Sequence, residues 1–419
     1  MLSHRHRNLR VVQLWLSKLA VFFVSFEIVR LPNLLLTLSD ILFMGAAFLL
    51  LYTGRIPRNP YGSGTSLFLL LLGLLSVAIL ISSLFAGVPE RALVFILQYF
   101  FAYAVLAYVV AAEDYETVVD LVKFYLAGSV IGVIIALYWF WTEPTPNLFA
   151  SGNGRFLGMN GGANGQAAVI ALSMPLLFFL WMKRHAPLVA LVPALAILLY
   201  GLLATSSNNG LIALFAAVSV FFLLTMTFGR IVKVFGVLAI VVPLFLLFGL
   251  DYLPQTFHDR VLSAVVSGDI DSAGTYSERV ALIKEAAEFL DETFIIGIGA
   301  DQFRNFSSHG APVHNTYLLL WTECGLISMI AWIGMIATIV LMGFAMLRTT
   351  EGALAGAAVI AVSATLLVTA MSGTHPYPRT LTLPLILALS LVVSIQRKRA
   401  HRAAQQEMEI GATPPAVRT

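Results

Sequence analysis

Runs of about 20 residues in which almost nothing carries a charge recur along this chain, and a polypeptide built that way cannot fold as a water-soluble globule. The stretches at 66–86, 164–182 and 353–372 contain no Asp, Glu, Lys or Arg at all. Hydrophobic residues make up 59% of the sequence and charged residues 11%, where a soluble domain carries about 25% charged residues. The fold class expected is therefore an all-α polytopic membrane protein. A formal net charge of +3, with basic residues in short scattered clusters, gives no patch for nucleic acid. The single cysteine, Cys324, cannot form a disulfide within the chain.

Segments long enough to cross roughly 30 Å of hydrocarbon number about twelve. They fall near 11–30, 33–52, 66–86, 93–112, 119–141, 164–182, 187–204, 210–228, 231–250, 315–347, 353–372 and 380–396. Lys18 and Lys123 lie near predicted helix ends, where long stems can reach the headgroups. His4-Arg5-His6-Arg7 precedes the first apolar segment; no small-residue cleavage site follows, and Lys18, Glu27 and Arg30 fit an anchored helix better than a cleaved leader.

With this count, Arg5, Arg7, Arg10, Arg55, Arg58, Lys183, Arg184, Arg230, Lys233, Arg348, Arg397, Lys398, Arg399 and Arg402 all fall on one side. The excess of Lys and Arg in short loops marks that side as cytoplasmic, with both termini inside. The opposite side receives Trp141 to Ala163, Thr205 to Asn209, the long segment 251–313, and Ser372 to Thr380. The chain thus reads as one transmembrane domain, 1–396, with segment 251–313 between spans nine and ten. A polar tail at 397–419 is expected to be disordered.

The stretch Asp251 to Gly325 is the long polar interruption. Thr275 and Glu278 have capping-box spacing, and Tyr276, Val280, Ile283, Ala287 and Leu290 recur at helical spacing, with Glu278, Lys284, Glu285 and Glu288 mostly on the polar side. This predicts a short amphipathic helix. Gly297-Ile298-Gly299 then reads as a tight turn.

Several residues could carry chemistry. Arg155 sits among Gly and Asn residues that let backbone approach a ligand closely; it is either an arginine shown to an anion or a loop residue meeting headgroups. Arg279 occupies the first turn of the predicted helix, where the dipole disfavours a cation and a bound anion would reverse that sign; a salt bridge to a nearby Glu explains it equally well. His314 stands where the polar stretch meets the bilayer and titrates near neutrality, so it can take a proton from a hydroxyl, or simply anchor the helix. Asn315 can orient it or cap the following helix. His258, His309 and His375 share that face without the short spacing of a zinc site. Asp269 and Asp271 resemble a metal-holding acidic pair, but their Ser/Gly/Asp surroundings read as a solvated turn.

His314-Asn315, nine residues, then Gly325-Leu326-Ile327, resembles the signature of the O-antigen ligase family. The likeness extends to the Arg279 helix, to Gly297-Ile298-Gly299 followed by Phe303, and to Glu323-Cys324-Gly325-Leu326. Two departures stand out. Ser328 replaces the Gly, Thr or Tyr often found three residues after the motif glycine. Where many members carry an arginine at the start of the span after the short loop, this chain reads Ser206-Ser207-Asn208-Asn209-Gly210, leaving Arg155 as the candidate replacement.

The resemblance implies a GT-C-like glycosyltransferase of the bacterial inner membrane with its active site facing the periplasm. The donor implied is a glycan on undecaprenyl diphosphate, the acceptor lipid A-core, with membrane lipids around them and no cofactor or metal. His314 is implied as general base, Arg155 and Arg279 as diphosphate ligands, and Asn315, Glu278 and Tyr276 as supporting residues, in a single inverting displacement. A covalent route would need Glu278 or Glu323. An O-antigen polymerase and a protein O-oligosaccharyltransferase share the motif. A transporter is the more distant rival, favoured if Glu323 faced a watery path.

Overall fold

The computed structural model describes residues 4–30, 36–227, 249–263 and 276–411, with single positions 229, 232 and 236. Among these residues the structure is helical, with only isolated β-bridges such as Arg30 to Thr37. The helices are α1 His4–Phe23, α2 Leu38–Tyr52, α3 Thr65–Ala86, α4 Pro89–Ala111, α5 Tyr115–Thr142, α6 Ala163–Met182, α7 Leu188–Ala204, α8 Asn208–Thr225, α9 Tyr276–Thr293, α10 Thr316–Leu347, α11 Ala353–Ala370 and α12 Arg379–Gly411. α4 contains one π turn, at Phe101–Val105.

Polar side chains fix where the apolar helices begin, because the first N–H groups of a helix have no intrahelical acceptor. Thr37 and Asp40 cap α2 reciprocally, at 3.2 and 2.9 Å. Asp114 accepts from Thr117 N–H (2.9 Å) at α5, and Ser207 from Gly210 N–H (3.1 Å) at α8. Pro89 opens α4, where its missing N–H costs nothing.

Among the described residues eight helices are long and apolar enough to cross a membrane: α3, α4, α5, α6, α8, α10, α11 and α12. α2 and α7 are apolar but shorter, at 15 and 17 residues. α1 runs earlier than the span expected at 11–30 and is not among the eight. The ninth expected span, 231–250, lies almost wholly outside the described residues. Lys18 and Lys123, expected to reach headgroups, both turn to Asp120 instead (3.5 and 3.1 Å), a carboxylate within easier reach. The stretch after Gln396, expected to be disordered, continues α12 as helix to Gly411.

α6, α11 and α12 are the most enclosed spans, and α10 packs chiefly against α3 and α11. Bonds between loops define two ends. At one, Arg397 donates to Glu113 O (2.8 Å), Lys183 to Glu351 O (3.2 Å), and Arg402 pairs with Glu351 (2.8 Å), so Lys183, Arg397 and Arg402, from distant parts of the sequence, share an end. At the other, Ile28 N–H reaches Met159 O (3.0 Å), Thr256 reaches Asn153 O (2.6 Å), and the Thr316 hydroxyl bonds the 373–374 backbone. The described part of the polar segment at 251–263 meets this second end through Thr256.

Candidate active site

The site is organised by a break in α10. Gly325 sits at φ 80°, ψ 166°, inside a continuous apolar helix. Such a break frees carbonyls in surroundings without water to satisfy them. The turn after α9 supplies the donors: Ile298 N–H bonds Thr322 O (2.9 Å) and Gly299 N–H bonds Glu323 O (2.8 Å). In return Phe294 O accepts from Leu326 N–H (3.1 Å) and from the Trp321 indole (3.0 Å). Gly297 and Gly299 take positive φ (83° and 96°), and a Cβ on Gly299 would lie 2.5 Å from Gly87 Cα, so only bare backbone fits between α3 and the turn. Ser82 and Ser83 of α3 complete the seat by accepting from Gly299 and Ala300 N–H, at 2.9 and 3.0 Å.

Glu323 belongs to this architecture. Its buried carboxylate accepts from Asp301 N–H (3.0 Å) and Phe303 N–H (3.2 Å), starting the short helix Phe303–Phe306. His375 Nε2 lies 3.7 Å from Glu323 Oε2. Burial, with the Arg304 charge adding to it, pushes His375 down to about 3, so the imidazole stands neutral. The glycines of the turn, Phe303, and the Glu323 to Leu326 run are thus one interlocked unit.

α9 lies against this unit, but its packed face is not the one expected from the pattern. Leu282 and Ala286 are buried against Ile298, Phe303, Val313 and Leu319, while Ile283 and Ala287 face outward. Glu285, expected on the polar side, accepts from the Ser307 hydroxyl and Ser308 N–H, both at 2.7 Å. The helix is rotated by about one residue because the 282/283 and 286/287 pairs are apolar at both positions and the partner surface chooses between them.

Arg279, three residues before Leu282, falls on the packed side and is half-buried. His314 precedes α10, whose first turn Asn315 caps by accepting from Leu318 N–H (3.1 Å). Burial lowers the His314 pKa below 6.5, and the nearby Arg279 charge lowers it further. The imidazole is therefore a free base at neutral pH.

Arg155 approaches from another part of the chain. Ser151 N–H bonds Arg155 O (3.0 Å), and Phe156 N–H bonds Ala204 O (3.2 Å). The guanidinium then donates through Nε to Thr205 O (2.9 Å) and through a terminal nitrogen to Asn164 Oδ1 (2.9 Å), which also accepts from the Ser207 hydroxyl (2.9 Å). Arg155 thus occupies the short loop whose own sequence lacks the family arginine. Burial brings its pKa down to about 10, and the charges of Arg260 and Arg279 push the same way. Arg279 is lowered by burial and then by Arg260.

The charges of Arg260 and Arg279 thus act on Arg155, that of Arg260 on Arg279, and that of Arg279 on His314. Arg260 is the one of these that the sequence reading missed. The signal for it was the Leu253, Phe257, Val261 spacing, which predicts a helical turn. Other candidates fall elsewhere: Glu278 is exposed, His309 pairs with Glu285 (3.5 Å), and His258 meets Leu250 O (3.1 Å). The Tyr276 side chain, Thr275, Asp269 and Asp271 lie outside the described residues. Among the described residues no three His, Cys, Asp or Glu gather as a metal site.

Among the described residues the fold is that of an all-helical, multi-pass membrane protein. Residues 193–333, about a third of the chain, match the family described as O-antigen ligase. The match takes in Arg260, Arg279, His314 and the break at Gly325, whereas Arg155 lies before it. No curated protein matches the chain.

Proposed function

We propose that this protein is an O-antigen ligase of the bacterial inner membrane, with both termini cytoplasmic and the site facing the periplasm. It transfers a glycan from undecaprenyl diphosphate to a sugar hydroxyl of lipid A-core. The observation that carries this reading is the match of residues 193–333 to that family; in support, the Arg279 charge acts both on Arg155 and on His314, which burial holds in its free-base form.

In this reading Arg155 and Arg279 hold the diphosphate with paired, charge-assisted hydrogen bonds. His314 takes the proton of the acceptor hydroxyl as its oxygen attacks the anomeric carbon. The bond from that carbon to the phosphate oxygen breaks, the electron pair leaves with the diphosphate, and the carbon inverts. Arginines neutralise that leaving group at any physiological pH. Asn315 holds the helix start that positions His314.

The test is a transfer assay with purified wild type and His314→Ala, supplied with undecaprenyl diphosphate glycan and lipid A-core, with chelator present. Ligated product from wild type alone, with inverted configuration, supports the proposal. Retained configuration overturns single displacement. Product only when a second donor glycan or a pilin-type protein replaces lipid A-core converts the reading to polymerase or protein glycosylation. Glu323, buried and accepting from Asp301 and Phe303 N–H, supports transfer over transport, the reading that a Glu323 facing water would favour.

A further inference from the structure

The segment 249–263 is anchored as if to hold one residue in place. Leu253, Phe257 and Val261 recur every four residues and pack against Tyr200, Leu203 and Leu211 of α7 and α8. The Tyr200 hydroxyl donates to Tyr252 O (2.9 Å), and His258 Nε2 meets Leu250 O (3.1 Å). On another face, the Thr256 hydroxyl donates to Asn153 O (2.6 Å), two residues from Arg155. Arg260 follows Thr256 by four residues, so it lies on the side of this helical segment that faces the Arg155 loop. Its charge is felt at both Arg155 and Arg279.

The reaction supplies a reason for a third cation. A diphosphate esterified at both ends carries about two negative charges, and the carrier released when the sugar departs carries about three. The additional charge appears on the leaving oxygen as the sugar–oxygen bond breaks, which is where electrostatic stabilisation accelerates a reaction. Arg155 and Arg279 match the bound donor in number; the transition state asks for one more.

We propose that Arg260 is a third diphosphate ligand, directed at the charge that develops on the carrier during transfer. This rests on the function proposed above and assigns to the same site a residue that lies outside the motif. Arg260 binds the leaving diphosphate more tightly than the intact donor.

The experiment uses full-length protein in lipid nanodiscs, with Arg260→Gln and Arg260→Lys. Three quantities are read: kcat, KM for the lipid-linked glycan, and the dissociation constant of polyprenyl diphosphate without sugar, with inorganic pyrophosphate as a competitor that lacks the lipid. Thermal unfolding of each variant reports folding. Arg260→Gln should lower kcat about 100-fold with KM changed by only about threefold. It should weaken polyprenyl diphosphate about tenfold more than donor, and Lys should restore part of each loss. A folded Arg260→Gln with wild-type kcat overturns the inference and leaves the ligase reading intact. So does a raised KM at unchanged kcat, or a loss in Gln and Lys alike that follows their thermal stability. Wild type that neither turns over nor binds polyprenyl diphosphate overturns the ligase reading itself.

Discussion

Glu323 is the residue at which a structural and a chemical role can be separated most cleanly. Its side chain is buried, and its two oxygens accept from Asp301 and Phe303 N–H at 3.0 and 3.2 Å. A buried backbone donor left without an acceptor costs about 1–3 kcal/mol. Glu323→Gln keeps one acceptor oxygen and turns an amide against the other N–H, so it should destabilise by about 1–3 kcal/mol. Glu323→Ala strands both donors and should cost about 2–6 kcal/mol. The measurement is thermal unfolding of purified protein in detergent, paired with glycan transfer per folded molecule. Stability should fall in the order wild type, Gln, Ala, and Glu323→Gln should retain turnover within a few-fold. If Glu323→Gln were as stable as wild type but lost turnover by about 1,000-fold, the carboxylate would be acting on substrate, and the covalent route with retained configuration would return.

The His314 base form exists above its lowered pKa, so activity falls as pH drops through it, and the acid limb of kcat/KM should lie below 6.5. A bound diphosphate offsets the Arg279 charge, so the limb of kcat should lie at higher pH than that of kcat/KM; the reverse order in a pH–rate profile would count against Arg279 as a diphosphate ligand. Arg155→Ala removes donors from Thr205 O and Asn164 Oδ1 and should cost about 2 kcal/mol of stability as well as activity, discounted for partial exposure. An Arg155→Ala protein with unchanged denaturation would show those bonds to be dispensable. Gly87→Ala would place its Cβ 2.7 Å from Gly299 Cα and should destabilise by about 1–3 kcal/mol. Gly73→Ala, inside α3 and with nothing within 4 Å of the new Cβ, should stabilise by about 0.5–1 kcal/mol, and equal effects at the two positions would contradict the tight seat.

The apolar spans were legible because bilayer thickness imposes a length and an absence of charge that the sequence displays directly. The motif was legible too, since Gly297, Gly299, Phe303 and Glu323 to Leu326 all meet at one break. What joins them was not. Glu323 finds its donors about twenty residues upstream, and Arg155 finds its acceptor at Thr205, pairings that no local period encodes. The face of α9 was misplaced because adjacent apolar pairs satisfy two rotations equally, and only the surface formed by Ile298, Phe303 and Leu319 decides between them. Arg260 escaped notice because its importance comes from neighbours about a hundred residues upstream, at Asn153 and Arg155. The first span was set too late because Val24, Phe26, Ile28 and Val29 keep apolar residues coming after the helix has ended at Phe23.

The chain has one cysteine, and it lies between Glu323 and Gly325, with 1% of its surface exposed. A thiol-specific reagent therefore has a single target, buried in the main hydrophobic core beside the break in α10. Labelling requires a local opening of that core, so the labelling rate of the unaltered protein, set against the rate of a free thiol, yields the free energy of opening. Donor or acceptor that tightens the core there would slow the label. The protein thus carries its own reporter of opening, one residue from the break.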